Sequence, residues 1–344
     1  MKKKIKENKV KWGIVGVGDV CEVKSAPAMQ LLPDSELVAV MRRDGAKAKD
    51  YAQRHGVPKW YDDATQLIND PAINAIYIAT PPYAHEQYTL QAAQAGKPVY
   101  VEKPMARTHQ ECKKMQAACD TAGVPLYVAY YRRYLPNFLH LKSMVESGII
   151  GDIRLVKIEM CKTIDPDIVA NITNAMPVNW RIDPKIAGGG YFFDLAAHQL
   201  DYLDFLLGPI KTVSGIATNQ AHLYEAEDIV AGHFTFENGI VGIGSWCFTV
   251  DKVATKDTLT LIGSEGQLSI PFFGAPTITL EKSALNKKEV FQFDLPKHIQ
   301  YPLIESIVAD LLGKGICEST GVSAARTNWV MEEMTKGYYS THKI

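Results

Sequence analysis

Short apolar runs alternate with helix-length segments through the first 131 residues, and that alternation restricts the fold more than any other feature of the chain. The runs read WGIVGVG (12–18), ELVAVM (36–41), NAIYIAT (74–80), PVYVEKP (98–104) and PLYVAYY (125–131). Between them, Ala46–His55 is followed by Gly56, His85–Ala95 by Gly96 and Thr108–Ala122 by Gly123. Glycine at these positions suits the left-handed C-terminal residue of a helix. Brief β-rich runs separated by amphipathic helices are βαβ units, and successive units build a parallel, doubly wound sheet.

In that setting GIVGVGDVC acquires a chemical meaning. Gly13 lies in the strand, while Gly16 and Gly18 supply the tight turn and the close backbone approach that a pyrophosphate needs at a helix N-terminus. Cys21 occupies the third glycine position of the dinucleotide fingerprint and is small enough for close helix–strand packing. The reading is a Rossmann domain, with Gly16, Gly18, Asp19 and Val20 at the cofactor. The second strand ends in Met41-Arg42-Arg43. An acidic residue about 20 positions past the glycines would hold the ribose of NAD. Arginine there can clamp a 2′-phosphate and stack on adenine, so Arg42 and Arg43 favour NADP, with NAD possible.

Ligands of open parallel sheets collect beyond the carboxyl ends of the strands. Thr80-Pro81-Pro82 stops one strand abruptly, since proline cannot continue a ladder. Glu102-Lys103-Pro104 does the same on the next. Lys103 precedes proline and is biased to extended geometry, which projects its amine toward the place of a nicotinamide. Thr80, Pro81, His85, Glu102 and Lys103 are therefore assigned to the cofactor side, together with Arg132. Tyr130, Tyr131 and Arg132 leave the last strand of the domain and can line the same region.

A second polar constellation sits in GGGYFFDLAAHQLD (188–201), where Asp194 and His198 stand four apart in a greasy segment. On a helix they share a face. The preceding stretch, 163–187, is too irregular for a core element, and long ordered loops tend to be functional. It holds Asn171, Asn174, Asn179, Trp180 and Arg181, the last two pairing a stacking face with a cationic donor suited to a polyol.

Taken with their order and spacing, GIVGVG (13–18), ATPPYAH (79–85), VEKPM (101–105) and GGGYFFDLAAHQLD (188–201) resemble the Gfo/Idh/MocA family over nearly the whole chain. The resemblance implies a two-domain oxidoreductase that passes a hydride between nicotinamide and a sugar or polyol carbon. It identifies Lys103 as the lysine of the Glu-Lys-Pro motif, and Asp194 and His198 as the pair on the second-domain helix, facing Lys103 across the substrate. Histidine is the natural acid–base near neutral pH. A cationic lysine would polarise the substrate oxygen, and Asp194 would orient substrate or imidazole. The catalytic assignment is Lys103, Asp194 and His198, with Tyr131, Trp180 and Arg181 joining them around the substrate. The alternatives are a non-catalytic NADP-binding regulator on the same scaffold, or an NAD-dependent glycosidase.

After Tyr134 strands follow one another, with Glu237-Asn238-Gly239 as a hairpin turn and Ser264-Glu265-Gly266 as a weaker one. The fold class is thus α/β, an N-terminal Rossmann domain (1–129) followed by a substrate-binding and oligomerisation domain (130–344). The latter is α+β, with a large, mostly antiparallel open sheet. Strands such as VGIGSW would leave a flat apolar face, which family members bury in a homo-oligomer, so a homodimer or homotetramer is expected. A formal net charge of −1, from 37 basic and 38 acidic residues, leaves no footprint for nucleic acid. No apolar stretch approaches membrane-spanning length. Six scattered cysteines without paired spacing read as reduced thiols in a cytoplasmic protein, with no metal site.

Overall fold

The computed structural model describes residues 4–164, 179–283 and 287–341. The chain divides into two compact units, one of residues 1–131 and 296–325, the other of 132–295 and 326–344. The expected division at 129/130 assigned everything downstream to the second domain. In the structure residues 296–325 pack with the first unit, because that segment fills polar and backbone positions the N-terminal strands leave open.

The first unit is a six-stranded parallel sheet. Its strands are β1 (Val10–Val15), β2 (Ser35–Met41), β3 (Lys59–Tyr61), β4 (Ala75–Ile78), β5 (Val99–Val101) and β6 (Leu126–Val128), in the order β3-β2-β1-β4-β5-β6. The order reverses between β1 and β4, which is where a doubly wound sheet opens a crevice at its carboxyl edge. β1, β4, β5 and β6 are covered on both faces, and their side chains are almost all buried. β3 and the Ala64–Asn69 helix, both absent from the sequence reading, complete the sheet's outer edge. Lys59-Trp60-Tyr61 is too short and too exposed to show a period.

The returning segment is stitched to this sheet. Ser319 lies beside β6, its Oγ donating to the Val128 carbonyl at 2.7 Å while its own carbonyl accepts from Val128 N at 3.0 Å. Tyr127 Oη donates to Asp310 at 2.9 Å, and His298 Nδ1 lies 2.7 Å from the Val23 carbonyl.

The second unit is built on an eight-stranded sheet. Its strands are β7 (Ile153–Cys161), β8 (Ile210–Thr218), β9 (Ile229–Phe236), β10 (Val241–Cys247), β11 (Lys256–Gly263), β12 (Gln267–Ile270), β13 (Thr277–Lys282) and β14 (Lys287–Gln292). They run in the order β14-β13-β12-β11-β7-β10-β9-β8. β7 and β10 pair in parallel and every other neighbouring pair is antiparallel. Both sequence-read turns are present: β9 and β10 meet at Gly239, with φ +87°, and β11 and β12 at Ser264–Gly266.

One face of this sheet is the core. Val156, Ile158 and Met160 of β7 align with Leu261 and Leu259 of β11 and with Phe234, Val230 and Trp246, all buried. The Tyr191–Leu207 helix covers it, with Phe192 edge-on to Trp246 at 5.0 Å and Trp246 Nε1 donating to Gln199 at 2.7 Å. Burying each such aromatic contributes roughly 2 kcal/mol. The face expected to be apolar along VGIGSW is so only in part. Val241 and Ile243 are exposed, but Trp246 turns inward, and Gly242 and Gly244 leave room for the Phe234 and Trp246 rings. The exposed rows mix Ile216, Val241 and Ile243 with Thr212, Lys157 and Glu159.

Candidate active site

At the carboxyl end of β1, Gly16 takes φ +93°, and the N–H groups of Gly16 and Val17 both donate to the Met41 carbonyl, at 2.9 and 3.2 Å. A Cβ on Gly16 would stand 2.6 Å from Thr80 Cγ2 and 3.0 Å from its backbone N. A Cβ on Gly18 would meet nothing within 4 Å, so the N-terminus of the Asp19–Val23 helix faces open space. Asp19 is exposed, Val20 half-buried, and Cys21 fully buried in the packing role expected of it. Burial pushes the Cys21 thiol up to about 12. Thr80 Oγ1 is buried with no protein partner among the described residues. An open glycine turn, a free helix start and an orphaned hydroxyl fit a dinucleotide phosphate.

Arg42 and Arg43 are exposed at the end of β2, and Arg42 Nη1 reaches the Val17 carbonyl at 3.4 Å. The arginine thus lies over the glycine turn. Pro81 is half-buried beyond β4. His85 is fully buried, with Nε2 2.7 Å from the Thr80 carbonyl and Nδ1 3.1 Å from that of Met105. It ties the ends of β4 and β5 together from beneath. Burial holds its pKa below the ordinary histidine value.

Lys103 is half-buried just past β5. Its amide donates to Glu102 Oε2 at 3.2 Å. Glu102 Oε1 accepts from Tyr77 Oη at 2.7 Å and from Gln300 Nε2 at 2.8 Å, and Gln300 Oε1 accepts from Tyr100 at 2.8 Å. These contacts anchor the Glu102 carboxylate inside the first unit. Gln300 is fully buried and had no sequence signal, because it lies in the returning segment.

In the second unit the three glycines each have a separate task. Gly188 ends the Pro184–Ala187 turn of helix at φ +90°, a Cβ on Gly189 would strike the Phe193 ring, and one on Gly190 would lie 2.7 Å from the Glu227 carbonyl. The helix then runs Tyr191–Leu207, with Asp194 in its first turn, half-buried, and His198 one turn on, buried. Its far end is held by two ion pairs, a buried one from Arg133 to Asp201 at 2.6 Å and a part-exposed one from Arg326 to Asp204 at 2.6 Å.

Trp180 and Arg181 come to this pair. Arg181 lies over the Trp180 ring at 4.5 Å and its Nε is 3.6 Å from Asp194 Oδ2, while Asn179 Nδ2 donates to Tyr191 Oη at 3.2 Å. Asn171 and Asn174 fall outside the described residues. The Phe273 ring is 6.0 Å from that of His198, and Arg132 sits over Phe273 at 4.3 Å while donating to the Phe272 carbonyl at 2.6 Å. Those contacts place Arg132 in the second unit, against the loop beside His198, whereas Tyr131 closes the first. Sequence reasoning missed Phe273. Its neighbour Asp257 accepts from the amides of Phe272, Phe273 and Gly274, a turn with no motif to announce it.

Among the described residues no helix is long and apolar enough to cross a membrane. Comparison with known proteins matches residues 10–130 to the model of an oxidoreductase family with an NAD-binding Rossmann fold, and residues 138–269 to the GFO/IDH/MocA C-terminal domain. The chain is 37% identical to Oxidoreductase P35 of Formosa agariphila over 95% of its length and 98% of the relative's. It is 30% identical to trans-1,2-dihydrobenzene-1,2-diol dehydrogenase of Bos taurus, over 76% of this chain and 74% of that one. A solved levoglucosan dehydrogenase, in complex with NADH and levoglucosan, superposes with a TM-score of 0.85 at 19% identity, covering 97% and 98% of the two chains. The chain is an NAD(P)-dependent oxidoreductase of the Gfo/Idh/MocA family.

Proposed function

We propose that this oxidoreductase moves a hydride between nicotinamide and a hydroxyl-bearing carbon of a sugar or polyol. The named relatives act on a cyclic diol and on levoglucosan, which supports a ring alcohol as the substrate class. The carrying observation is that an Asp194–His198 pair shares one helix face with Trp180 and Arg181 beside it, in a chain whose other unit carries Lys103 just past β5.

A nicotinamide dinucleotide held at the glycine turn by Gly16, Gly18 and Arg42 would supply or accept the hydride. Lys103 holds the substrate oxygen and stabilises charge on it as the carbonyl becomes alkoxide or the reverse. His198 gives or takes the proton at that oxygen. Asp194 orients the substrate, and Arg181, 3.6 Å from its Oδ2, holds the carboxylate in place. On this reading the units are an NAD(P)-binding domain and a substrate domain. Arg42 and Arg43 favour NADP over NAD, because a guanidinium beside the glycine turn can pair with a 2′-phosphate. The partly apolar open face of the second sheet joins copies of the chain into a homodimer or homotetramer, and a monodisperse monomer in small-angle scattering would contradict that part.

The test is NADPH absorbance against a panel of keto-sugars, inososes and aldoses, repeated with NADH. Lys103→Ala and His198→Ala are each expected to lose about a hundredfold or more in turnover. Undiminished turnover in both variants overturns the assignment.

A further inference from the structure

A buried carboxylate that the reaction does not use sits at the start of the acid–base helix. Glu227 is fully inaccessible, and both its oxygens accept from Gly190 N–H, at 3.0 and 3.1 Å. Tyr339, from the last helix (Gly321–Thr341), donates its hydroxyl to Oε2. Gly190 has no side chain to spare here, since its Cβ would collide with the Glu227 backbone. The helix therefore enters against Glu227 at one height and one roll.

Among the described residues no cation pairs with Glu227, and a buried carboxylate without one is costly. A structural cap needs only a serine or an asparagine. The contacts reach further than capping. Glu227 connects the loop before β9, the last helix, and the backbone one turn ahead of Asp194 and two ahead of His198. Phe193, next to Asp194, packs edge-on against the same Tyr339 at 6.3 Å.

We propose that Glu227, held by Tyr339, is a positioning residue that sets the axial place and roll of the Tyr191–Leu207 helix, and through it the aim of His198 and Asp194. The inference rests on the acid–base reading of His198 for its effect on turnover, but not for its effect on the imidazole itself. An ångström of displacement at a reacting group is enough to cost one to two powers of ten in rate.

The experiment follows the His198 ring by NMR in isotopically labelled wild type, Glu227→Gln and Tyr339→Phe, with His198→Asn fixing the assignment, alongside NADPH turnover and NADPH affinity. In both variants the His198 resonance is expected to move and its proton affinity to change about threefold or more. Turnover should drop about tenfold, while NADPH binding stays within about twofold, since the glycine turn lies in the other unit. A folded Glu227→Gln protein with an unmoved His198 titration overturns the proposal; if that variant does not fold, Tyr339→Phe decides by the same criterion. A moved His198 resonance in an enzyme that turns over none of the panel supports the positioning and overturns the reaction assigned to it.

Discussion

Arg181 Nε lies 3.6 Å from Asp194 Oδ2, so a loop read as a specificity element and a helix read as catalytic are joined by charge. Arg181 is partly exposed and stacked on Trp180, which leaves guanidinium donors for a substrate hydroxyl. Arg181→Ala is expected to raise KM for the ring alcohol about tenfold, the worth of one charged hydrogen bond, with kcat nearly kept. Steady-state kinetics on the best panel substrate checks it. A fall in kcat with constant KM would instead make Arg181 part of the chemical step.

On the proposed reading, Arg42 sets the cofactor preference. Arg42→Asp should weaken NADP by about ten- to a hundredfold and improve NAD, because the acidic residue repels a 2′-phosphate and accepts from a ribose hydroxyl. The ratio of kcat/KM for the two cofactors is the measurement. A ratio that does not change would remove Arg42 from the nucleotide site.

Two glycines of one turn should fail differently. At Gly16 an added Cβ meets the Thr80 backbone and φ is +93°, so Gly16→Ala is expected to lose both cofactor binding and about 1–2 kcal/mol of stability. At Gly18 the space is open, so Gly18→Ala should keep its melting temperature and lose nucleotide affinity alone. Thermal melts paired with NADPH titration separate the two.

Glu227 makes a pH prediction. Burial raises its pKa from 4.5 to about 7, against the opposing hydrogen bonds of Tyr339 and Gly190, and the neighbouring Asp228 adds to the rise. Tyr339, itself raised by burial, stays a neutral donor. Between those two pH values the folded chain binds more protons than the unfolded one, so stability falls as pH climbs from about 4.5 to 7 and is level above. The loss is on the order of 3 kcal/mol. Glu227→Gln should flatten that slope, read from denaturation midpoints across the range. An unchanged slope would show that the carboxylate is ionised throughout.

The local elements were legible wherever period and punctuation agree. The Gly-closed helices, the runs that form β1, β2 and β4–β6 and the strands after Tyr134 follow from apolar patterning, and the Gly16–Gly18 turn from its place between strand and helix. What stayed hidden depends on distant partners. Gln300 meets Glu102 because 296–325 folds back, and nothing near either residue says so. Glu227 looks like any acidic residue in a loop until Gly190 is seen against it. His85 and Glu102 stand just past β4 and β5, but their ring and carboxyl are spent on backbone carbonyls, Tyr77, Gln300 and the Lys103 amide inside the fold. Trp246 shows the same limit: strand alternation puts it inward, while its apolar neighbours suggested a surface.

The return of 296–325 to the Rossmann sheet also bears on how the protein is made and cut. A nascent chain that has emerged only as far as β6 still lacks Ser319 at that strand and Gln300 beneath Glu102. The first unit cannot finish maturing before residues 132–295 of the second have been synthesised. A truncation after residue 131 yields a sheet with an uncovered flank, so a working fragment would have to splice 296–325 back on by a linker.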